Sequence, residues 1–222
     1  MRSILIATIA TLALSACSES RVESVQQTAV LDARAAAEAD RAEAIFAGGC
    51  FWCVESDFEK VPGVIEVVSG YTGGETTNPT YKQVTYAETG HYEAAKVIYD
   101  PSVVSYAELV DYYFRTIDPT DARGQFCDKG SSYRTAIFAT PDQRPVAEAE
   151  LSEVEATKSF EAPIVTPVLA AQTFYDAEDY HQNYYKMNAV KYKFYRQGCG
   201  RDARLEKLWG DDAGVFKAAG ES

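Results

Sequence analysis

The stretch Ala44-Ile45-Phe46-Ala47-Gly48-Gly49-Cys50-Phe51-Trp52-Cys53-Val54 decides the architecture of this chain. Its apolar residues before the glycine pair are typical of a buried strand, and Gly48-Gly49 ends that strand in a turn. Residues 50–60 then carry large apolar side chains at helical spacing until Pro62-Gly63 interrupts the pattern. The stretch therefore predicts a strand, a tight turn and a helix, with Cys50 at the start of the helix.

Apolar periodicity downstream of this unit predicts a mixed sheet with helices between its strands. A capping box at Ser105 and Glu108 opens one helix, and Thr140-Pro141 is expected to supply an N-cap and a first helical residue for another. Further strands are predicted at 64–68, 91–99, 132–139 and 164–169, and further helices at 105–117, 140–158 and 201–209.

This order of elements is the split βαβ pattern of ferredoxin-like α+β folds, with helices packed on the sheet. Two long segments are predicted to have no regular structure. Residues 70–90 are rich in Gly, Thr and Asn, and a loop of that length is usually functional. Residues 174–199 form a long irregular segment rich in tyrosine.

The composition excludes several function classes. With 222 residues, 46% of them hydrophobic, the chain can form one domain of ordinary size. A formal net charge of −12 repels a phosphate backbone, so nucleic acid is not an expected partner. Five cysteines are too few for a disulfide scaffold in a chain of this length, so each thiol is considered for chemistry or processing.

The N-terminus has the features of an export signal. Residues 1–16 are predicted to be a signal peptide, because Arg2 precedes an apolar run at 4–14 that is too short to span a bilayer. The run ends in Leu14-Ser15-Ala16-Cys17, which resembles the lipobox of bacterial lipoproteins. We expect a lipidated Cys17, a flexible tether over 17–41, a folded domain over 42–222 and a location at the periplasmic face of a bacterial membrane. An ordinary cleavage site that includes a cysteine is the alternative.

Cys50 and Cys53 form a C-x-x-C pair at the start of the predicted helix. The free backbone N–H groups of a helix start stabilise a thiolate, so the pKa of Cys50 is expected to be lowered and the thiol to be nucleophilic. The pair is compatible with a dithiol redox site, with half of a zinc site or with chance. Zinc needs two further ligands, and the other Cys and His residues are scattered singly. Redox chemistry without a metal is therefore favoured.

Beyond this pair, several motifs resemble those of one enzyme family in their order along the chain. Gly49-Cys50-Phe51-Trp52 resembles the signature of peptide methionine sulfoxide reductase A, and the resemblance extends from Ile45 to about Tyr195. The further motifs are Gly70–Gly74, Asn78–Tyr81, Gly90–Ala94, Tyr99–Pro101, Asp118-Pro119, Asp128–Arg134 and His181–Tyr184. The resemblance implies an MsrA-type α/β roll and reduction of the S epimer of methionine sulfoxide, peptide-bound or free. It also implies no metal or organic cofactor and a thioredoxin-like dithiol as reductant.

The resemblance assigns the nucleophilic attack on sulfur to Cys50 and the role of acid to Glu93. The position of Glu93 supports this role, because on an alternating strand it shares a face with the apolar Ala95 and Val97. A carboxyl group in such surroundings has a raised pKa and can hold a proton near neutral pH. A solvent-facing carboxylate is the alternative and the commoner case for glutamate.

The other matched residues would surround the substrate. By resemblance, the hydroxyls of Tyr81 and Tyr133 donate to the sulfoxide oxygen, and Asp128 supports the polar side of the site. Phe51 and Trp52 would form an apolar wall for the terminal methyl group of the substrate. Without the resemblance, packing is the commoner role for two of the 15 tyrosines, and Phe51 and Trp52 could equally be helix-start residues that fill the core.

Recycling requires a second thiol, because the oxidised Cys50 is a sulfenic acid that condenses with a thiol. We rank Cys199 first, since its flanking Gly198 and Gly200 predict a mobile C-terminal stretch. Cys53 is the alternative, and it departs from the commonest family pattern, which has glycine at that position. Cys127 ranks third.

Two rival functions remain open at the level of sequence. A thiol-disulfide oxidoreductase would use Cys50 and Cys53 but would leave Glu93, Tyr81 and Tyr133 without roles. A non-catalytic lipoprotein that binds peptides through its tyrosines would tolerate the loss of every thiol. The prediction is a reductase that acts on oxidised proteins or free methionine sulfoxide and is bound to the membrane by its lipid anchor only.

Overall fold

The computed structural model describes residues 41–218 of the chain. The predicted signal peptide and Cys17 lie outside the described residues. The strands are β1 (Ala42–Gly48), β2 (Val64–Thr72), β3 (Tyr92–Tyr99), β4 (Gly124–Gln125), β5 (Asp128–Lys129), β6 (Thr135–Ala139), β7 (Val168–Ala170) and β8 (Tyr175–Asp176). The helices are α1 (Phe51–Phe58), α2 (Tyr81–Tyr86), α3 (Tyr106–Arg115), α4 (Arg144–Thr157), α5 (Tyr184–Met187), α6 (Ala189–Gly198) and α7 (Arg201–Trp209).

Six strands form the main sheet in the order β7-β6-β1-β3-β2-β8, and β4 and β5 form a separate hairpin. Strand β3 lies between β1 and β2 and is antiparallel to both. The unit β1-α1-β2 is therefore a split βαβ with β3 in the gap, which confirms the predicted α+β architecture. Strands β6 and β7 pair in parallel, and α4 connects them.

The largest apolar cluster packs α1 and α3 against the sheet. The Phe46 ring of β1 lies 5.0 Å from the ring centroids of both Phe58 on α1 and Tyr113 on α3. These buried contacts fix α1 against the end of β1, so the position of Cys50 between them is set by the core.

Two segments that were predicted to be irregular contain helices. The loop at 70–90 includes α2, which begins with a complete capping box formed by Thr80 and Gln83. In the tyrosine-rich segment, α5 and α6 together occupy most of residues 184–199. The prediction of an irregular segment is wrong here, since its tyrosines pack inward on Cys50, Cys53 and Trp52 rather than following a single apolar stripe.

Two predicted boundaries also differ from the structure. Helix α4 begins at Arg144 and not at Pro141, because the Thr140 hydroxyl accepts the Gln143 N–H at 3.3 Å and residues 141–143 form a turn. The last predicted strand, 164–169, is reduced to β7. Within residues 41–218, no helix combines the length and apolar character needed to cross a bilayer.

Candidate active site

The turn between β1 and α1 presents Cys50 at the start of the helix. Gly49 has φ +80°, a conformation that residues with a Cβ rarely adopt, and a Cβ there would lie 2.5 Å from Cβ of Gln125. Cys50 is the N-cap of α1, and its carbonyl accepts the N–H of Cys53 at 3.0 Å. Only 5% of Cys50 is exposed, so the turn delivers the thiol to an enclosed position.

A cavity of about 70 Å³ opens directly on Cys50. This volume corresponds to roughly two water molecules, so it suits the end of a side chain rather than a ring. The structure brings together all seven residues that the sequence analysis assigned to catalysis and substrate binding, and it adds Tyr195. The lining residues are Cys50, Phe51, Trp52, Tyr81, Glu93, Asp128, Tyr133 and Tyr195.

Glu93 on β3 faces the first turn of α1. Its Oε2 atom accepts the backbone N–H of Phe51 at 3.2 Å, and the residue is 2% exposed. Burial raises the pKa of Glu93 to about 8, with a contribution from the negative charge of Asp128, despite the opposing hydrogen bond from Phe51. The carboxyl group therefore carries a proton at neutral pH. The upward shift of its pKa is the one predicted from the apolar face of the strand.

Tyr81 and Tyr133 lie side by side at the polar end of the cavity. Tyr81 begins α2, and its backbone N–H donates to Glu178 at 2.9 Å. Both phenol groups line the cavity together with Glu93, and the pKa of each tyrosine responds to the negative charge of Glu93. Burial raises the pKa of both tyrosines, so they remain protonated and available as donors.

Phe51 and Trp52 form the apolar wall of the cavity. The Trp52 indole stacks on Tyr184 of α5 with ring centroids 3.7 Å apart, and its N–H donates to Nδ1 of His181 at 3.1 Å. Phe51 packs against the rings of Tyr71 and His181. Because Trp52 has a stacked ring and a hydrogen bond and Phe51 has two ring contacts, both aromatic rings are held in place before a substrate arrives.

Tyr195 is the site residue that sequence reasoning missed. Its hydroxyl donates to Asp128, and its ring packs in the cluster around Cys50 and Cys53. Burial raises the pKa of both Tyr195 and Asp128. The chain contains 15 tyrosines, and only the packing of α6 on the site distinguishes this one.

Cys50 and Cys53 are both buried free thiols, and they belong to the same cluster of buried side chains. Burial raises the pKa of Cys50, and the hydrogen bond to Cys53 and the charge of Glu93 raise it further. The expectation of a lowered pKa at Cys50 is therefore wrong, because burial and these neighbours outweigh the helix start. The hydrogen bond from Cys50 lowers the pKa of Cys53 to about 7.

Cys127 and Cys199 form a disulfide across 72 residues of sequence. Cys199 caps the end of α6 and does not lie in a free C-terminal stretch, whereas Cys127 is exposed to solvent. Cys199, which the sequence analysis ranked first as the resolving thiol, is thus bonded to another cysteine. Among the residues that the structure describes, Cys127, Asp128 and Cys199 are the one group with three potential metal ligands close together, and the disulfide occupies both of its sulfur atoms.

Comparisons with known proteins agree with this site. Residues 42–213 match the family described as "Peptide methionine sulfoxide reductase". The chain is 56% identical over 168 residues to "Peptide methionine sulfoxide reductase MsrA 2" of Caulobacter vibrioides, covering 75% of this chain and 85% of that protein. It is 50% identical over 169 residues to "Peptide methionine sulfoxide reductase MsrA" of Bacillus velezensis, covering 76% of this chain and 96% of that protein.

Solved structures show the same likeness. Mxr1 of Saccharomyces cerevisiae in reduced form matches with a TM-score of 0.63 and 32% identity, covering 68% of this chain and 87% of that one. Methionine sulfoxide reductase A of Corynebacterium diphtheriae matches with a TM-score of 0.60 and 33% identity, covering 68% and 76%. With its fold, its cavity and 172 residues of matching sequence in agreement, the chain belongs to the peptide methionine sulfoxide reductase family.

Proposed function

We propose that this protein reduces the S epimer of methionine sulfoxide, peptide-bound or free, by attack of Cys50 on the sulfoxide sulfur. The observation that carries the proposal is the single small cavity in which the Cys50 thiol, the protonated Glu93 and the two phenol donors face one another. Thiol-dependent reduction of methionine sulfoxide is the reaction of the family to which the chain belongs.

In the first step, the Cys50 sulfur forms a bond to the sulfoxide sulfur while the S–O bond breaks. Oxygen leaves readily only if it is protonated, and Glu93 holds the required proton at neutral pH. Tyr81 and Tyr133 donate hydrogen bonds to the oxygen as negative charge develops on it. The oxygen leaves as water, with one proton from Glu93 and one from the Cys50 thiol. Water then attacks the Cys50 sulfur and the S–S bond breaks, so methionine leaves, Cys50 becomes a sulfenic acid, and the proton released in this step returns to Glu93.

Substrate selection in this proposal rests on the apolar wall. The terminal methyl group of methionine sulfoxide is apolar, and Phe51 and Trp52 offer it two aromatic surfaces next to Cys50. The hydrogen bond from Trp52 to His181 and its stack on Tyr184 fix the angle of the indole. A substrate with a charged group in place of the methyl would lose these contacts.

For the second step, we assign the resolving role to Cys53. Its side chain already packs in the same buried cluster as that of Cys50, whereas the Cys199 sulfur is bonded to Cys127. The Cys53 sulfur bonds to the Cys50 sulfur as the S–O bond of the sulfenic acid breaks, and the departing hydroxide takes the proton of the Cys53 thiol, so the products are a Cys50–Cys53 disulfide and water. A thioredoxin-like dithiol then returns the pair to its reduced form.

We also propose that Cys17 is lipidated and anchors the protein at the periplasmic face of a bacterial membrane. The support is the order of the apolar run, the small residues and the cysteine within residues 4–17. The mature protein should then fractionate with membranes and carry acyl mass on its first residue. A soluble product whose N-terminal residue is unmodified would contradict the lipid anchor but not the proposed enzyme activity.

The test of the catalytic proposal is single-turnover reduction of a methionine sulfoxide peptide by Cys50→Ser. We expect no methionine to form, with an unchanged circular dichroism spectrum. Cys53→Ser serves as the matched control, since it removes a thiol from the same helix turn and should still form one methionine. Methionine formation by Cys50→Ser would contradict the proposal, as would faster reduction of an insulin-type disulfide than of the sulfoxide by the parent.

A further inference from the structure

The histidine that opens the motif His181–Tyr184 lies beside the cavity but takes no part in the chemical steps. His181 is only 2% exposed, and its Nδ1 atom accepts the indole N–H of Trp52 at 3.1 Å. Its ring centroid lies 4.9 Å from that of Phe51 and 4.5 Å from that of Tyr81. The imidazole therefore packs against both the apolar wall and one of the two phenol donors.

The hydrogen bonding of this imidazole is one-sided. Because Nδ1 is the acceptor for Trp52, the neutral ring of His181 carries its proton on Nε2. Nε2 is buried, and no group among residues 41–218 forms a hydrogen bond with it. An unpaired buried N–H costs free energy, and an apolar side chain would avoid that cost. The histidine is therefore better explained by its bond to Trp52 than by packing.

The chain on both sides of His181 is fixed to elements of the site. On one side, a carboxylate oxygen of Glu178 accepts the backbone N–H of Tyr81 on α2 at 2.9 Å. On the other side, the Gln182 side chain bonds to the N–H of Ser69 on β2 at 3.0 Å and to its carbonyl at 2.9 Å. These anchors restrict the movement of His181 relative to the cavity.

The same segment is tied to α1, the helix that carries Trp52. The backbone N–H of Asn183 donates to one carboxylate oxygen of Glu55 at 2.6 Å, and the hydroxyl of Ser69 donates to the other at 3.2 Å. Glu55 is fully buried and lies about one helical turn after Trp52. The acceptor and the indole N–H are thus held on one connected frame.

We propose that His181 is a positioning residue for the reaction, because its neutral imidazole holds the Trp52 indole in the orientation that receives the methyl group of the sulfoxide. The stack on Tyr184, with an interplanar angle of 8°, fixes the plane of the indole but not its rotation within that plane. The hydrogen bond fixes this rotation. The inference rests on the proposed function, and it predicts that loss of the acceptor weakens substrate binding more than it slows the chemical step.

The first experiment separates binding from chemistry. Without reductant each enzyme molecule forms one methionine, so the rate of this burst can be measured against the concentration of a methionine sulfoxide peptide. In His181→Leu the half-saturating concentration should rise by about 10-fold, the effect of one lost hydrogen bond, with the saturating rate within a few-fold of the parent. Unchanged half-saturation in this variant would overturn the proposal.

Two further variants test the role of the acceptor. His181→Asn should bind the peptide as the parent does, since its amide oxygen takes the position of Nδ1 and can accept the indole N–H. Binding as weak as in His181→Leu would contradict the inference. Tyr180→Phe is the matched control, because Tyr180 is 62% exposed and its ring contact with His181 survives the substitution. Its half-saturating concentration should equal that of the parent.

The hydrogen bond also predicts a pH dependence of substrate binding. A protonated imidazole carries hydrogens on both nitrogens and cannot accept the indole N–H. Burial lowers the pKa of His181, and the charge of Glu178 opposes this shift. The titratable groups on the elements next to His181 are Cys50 and Glu55 on α1, Tyr71 on β2, Tyr81 on α2 and, on its own segment, Glu178, Asp179 and Tyr180. The half-saturating concentration of the parent should be constant near neutral pH and rise only below pH 6.5, the ordinary pKa of histidine. His181→Asn should lack this rise, and a rise that persists there would contradict the inference.

If His181→Leu does not fold, NMR of the two indole N–H groups supplies the deciding measurement. Trp209 donates to the carbonyl of Ile117 and serves as the internal reference. The Trp52 signal of the parent should move as the pH falls below 6.5, while the Trp209 signal stays constant. A Trp52 signal that does not respond to pH, or that responds equally in His181→Asn, would overturn the proposal. Failure of the proposed function is distinguishable, because the parent would then form no methionine.

Discussion

At the scale of single residues, the chemistry of the site depends on the environment of Glu93. The carboxyl group is buried on the α1 side of β3, and its one backbone donor, Phe51, does not offset the loss of water. A pKa of about 8 lies well above the ordinary value of 4.5. The group therefore stays protonated through neutral pH and loses its proton only as the pH rises past about 8.

Glu93→Gln should slow methionine formation by roughly 10²-fold or more, because the amide keeps the hydrogen bond to Phe51 but cannot deliver a proton. In the parent, single-turnover methionine formation should fall as the pH rises through about 8, when Glu93 ionises. The measurement is a pH series of quenched single turnovers. A parent-like rate in Glu93→Gln, or a rate that keeps rising above pH 8, would remove Glu93 from the mechanism.

The second residue-scale prediction concerns recycling, and it reverses the ranking made from sequence. Cys53→Ser should form one methionine and then stop, with Cys50 left as a sulfenic acid, because Cys199 is bonded to Cys127. Cys199→Ser should cycle with a thioredoxin-like donor at a substantial fraction of the parent rate. Steady-state assays of both variants test this, and the opposite pattern would make Cys199 the resolving thiol.

At the scale of elements, the turn between β1 and α1 is the most constrained joint of the site. Gly49→Ala would place a Cβ in a left-handed conformation and against Gln125, whose side chain is hydrogen-bonded to the backbone of Asp118. We expect a loss of about 2–4 kcal/mol in the free energy of unfolding. Urea unfolding measures it, with Gly198→Ala as control.

Gly198 ends α6, and a Cβ there would meet no atom within 4 Å. Its substitution should leave the protein within about 1 kcal/mol of the parent, on the stabilising side. A Gly49→Ala enzyme of parental stability and activity would show that the turn tolerates a Cβ and does not fix Cys50.

The elements also show what local sequence can predict. The strand, glycine turn and helix around Cys50 follow from apolar periodicity. The motifs that resemble those of the family identify the other cavity residues. The inward packing of Tyr195 and the burial of Arg201 depend on contacts made by α6 and α7 across more than 60 residues of sequence. Such contacts leave no local pattern, so the pairing of Cys127 with Cys199 could not be predicted either.

At the scale of the whole molecule, the Cys127–Cys199 disulfide links the β4-β5 hairpin to the junction of α6 and α7. Closing a loop of this length restrains the unfolded chain and should contribute about 2–4 kcal/mol to stability. The double variant Cys127→Ser/Cys199→Ser should therefore unfold at lower urea concentration than the parent without reductant. Addition of dithiothreitol should bring the parent close to the variant, and identical midpoints under both conditions would contradict the prediction.

The stack of Trp52 on Tyr184 has an optical consequence. The chain contains two tryptophans, and the other, Trp209, is buried with its N–H bound to the carbonyl of Ile117 at 3.2 Å. Trp52 instead borders the cavity that holds Cys50. Intrinsic fluorescence should therefore change when a sulfoxide binds or when the Cys50 sulfur is oxidised, and the change should persist in Trp209→Phe. Trp52 would then serve as a built-in fluorescent reporter of each turnover.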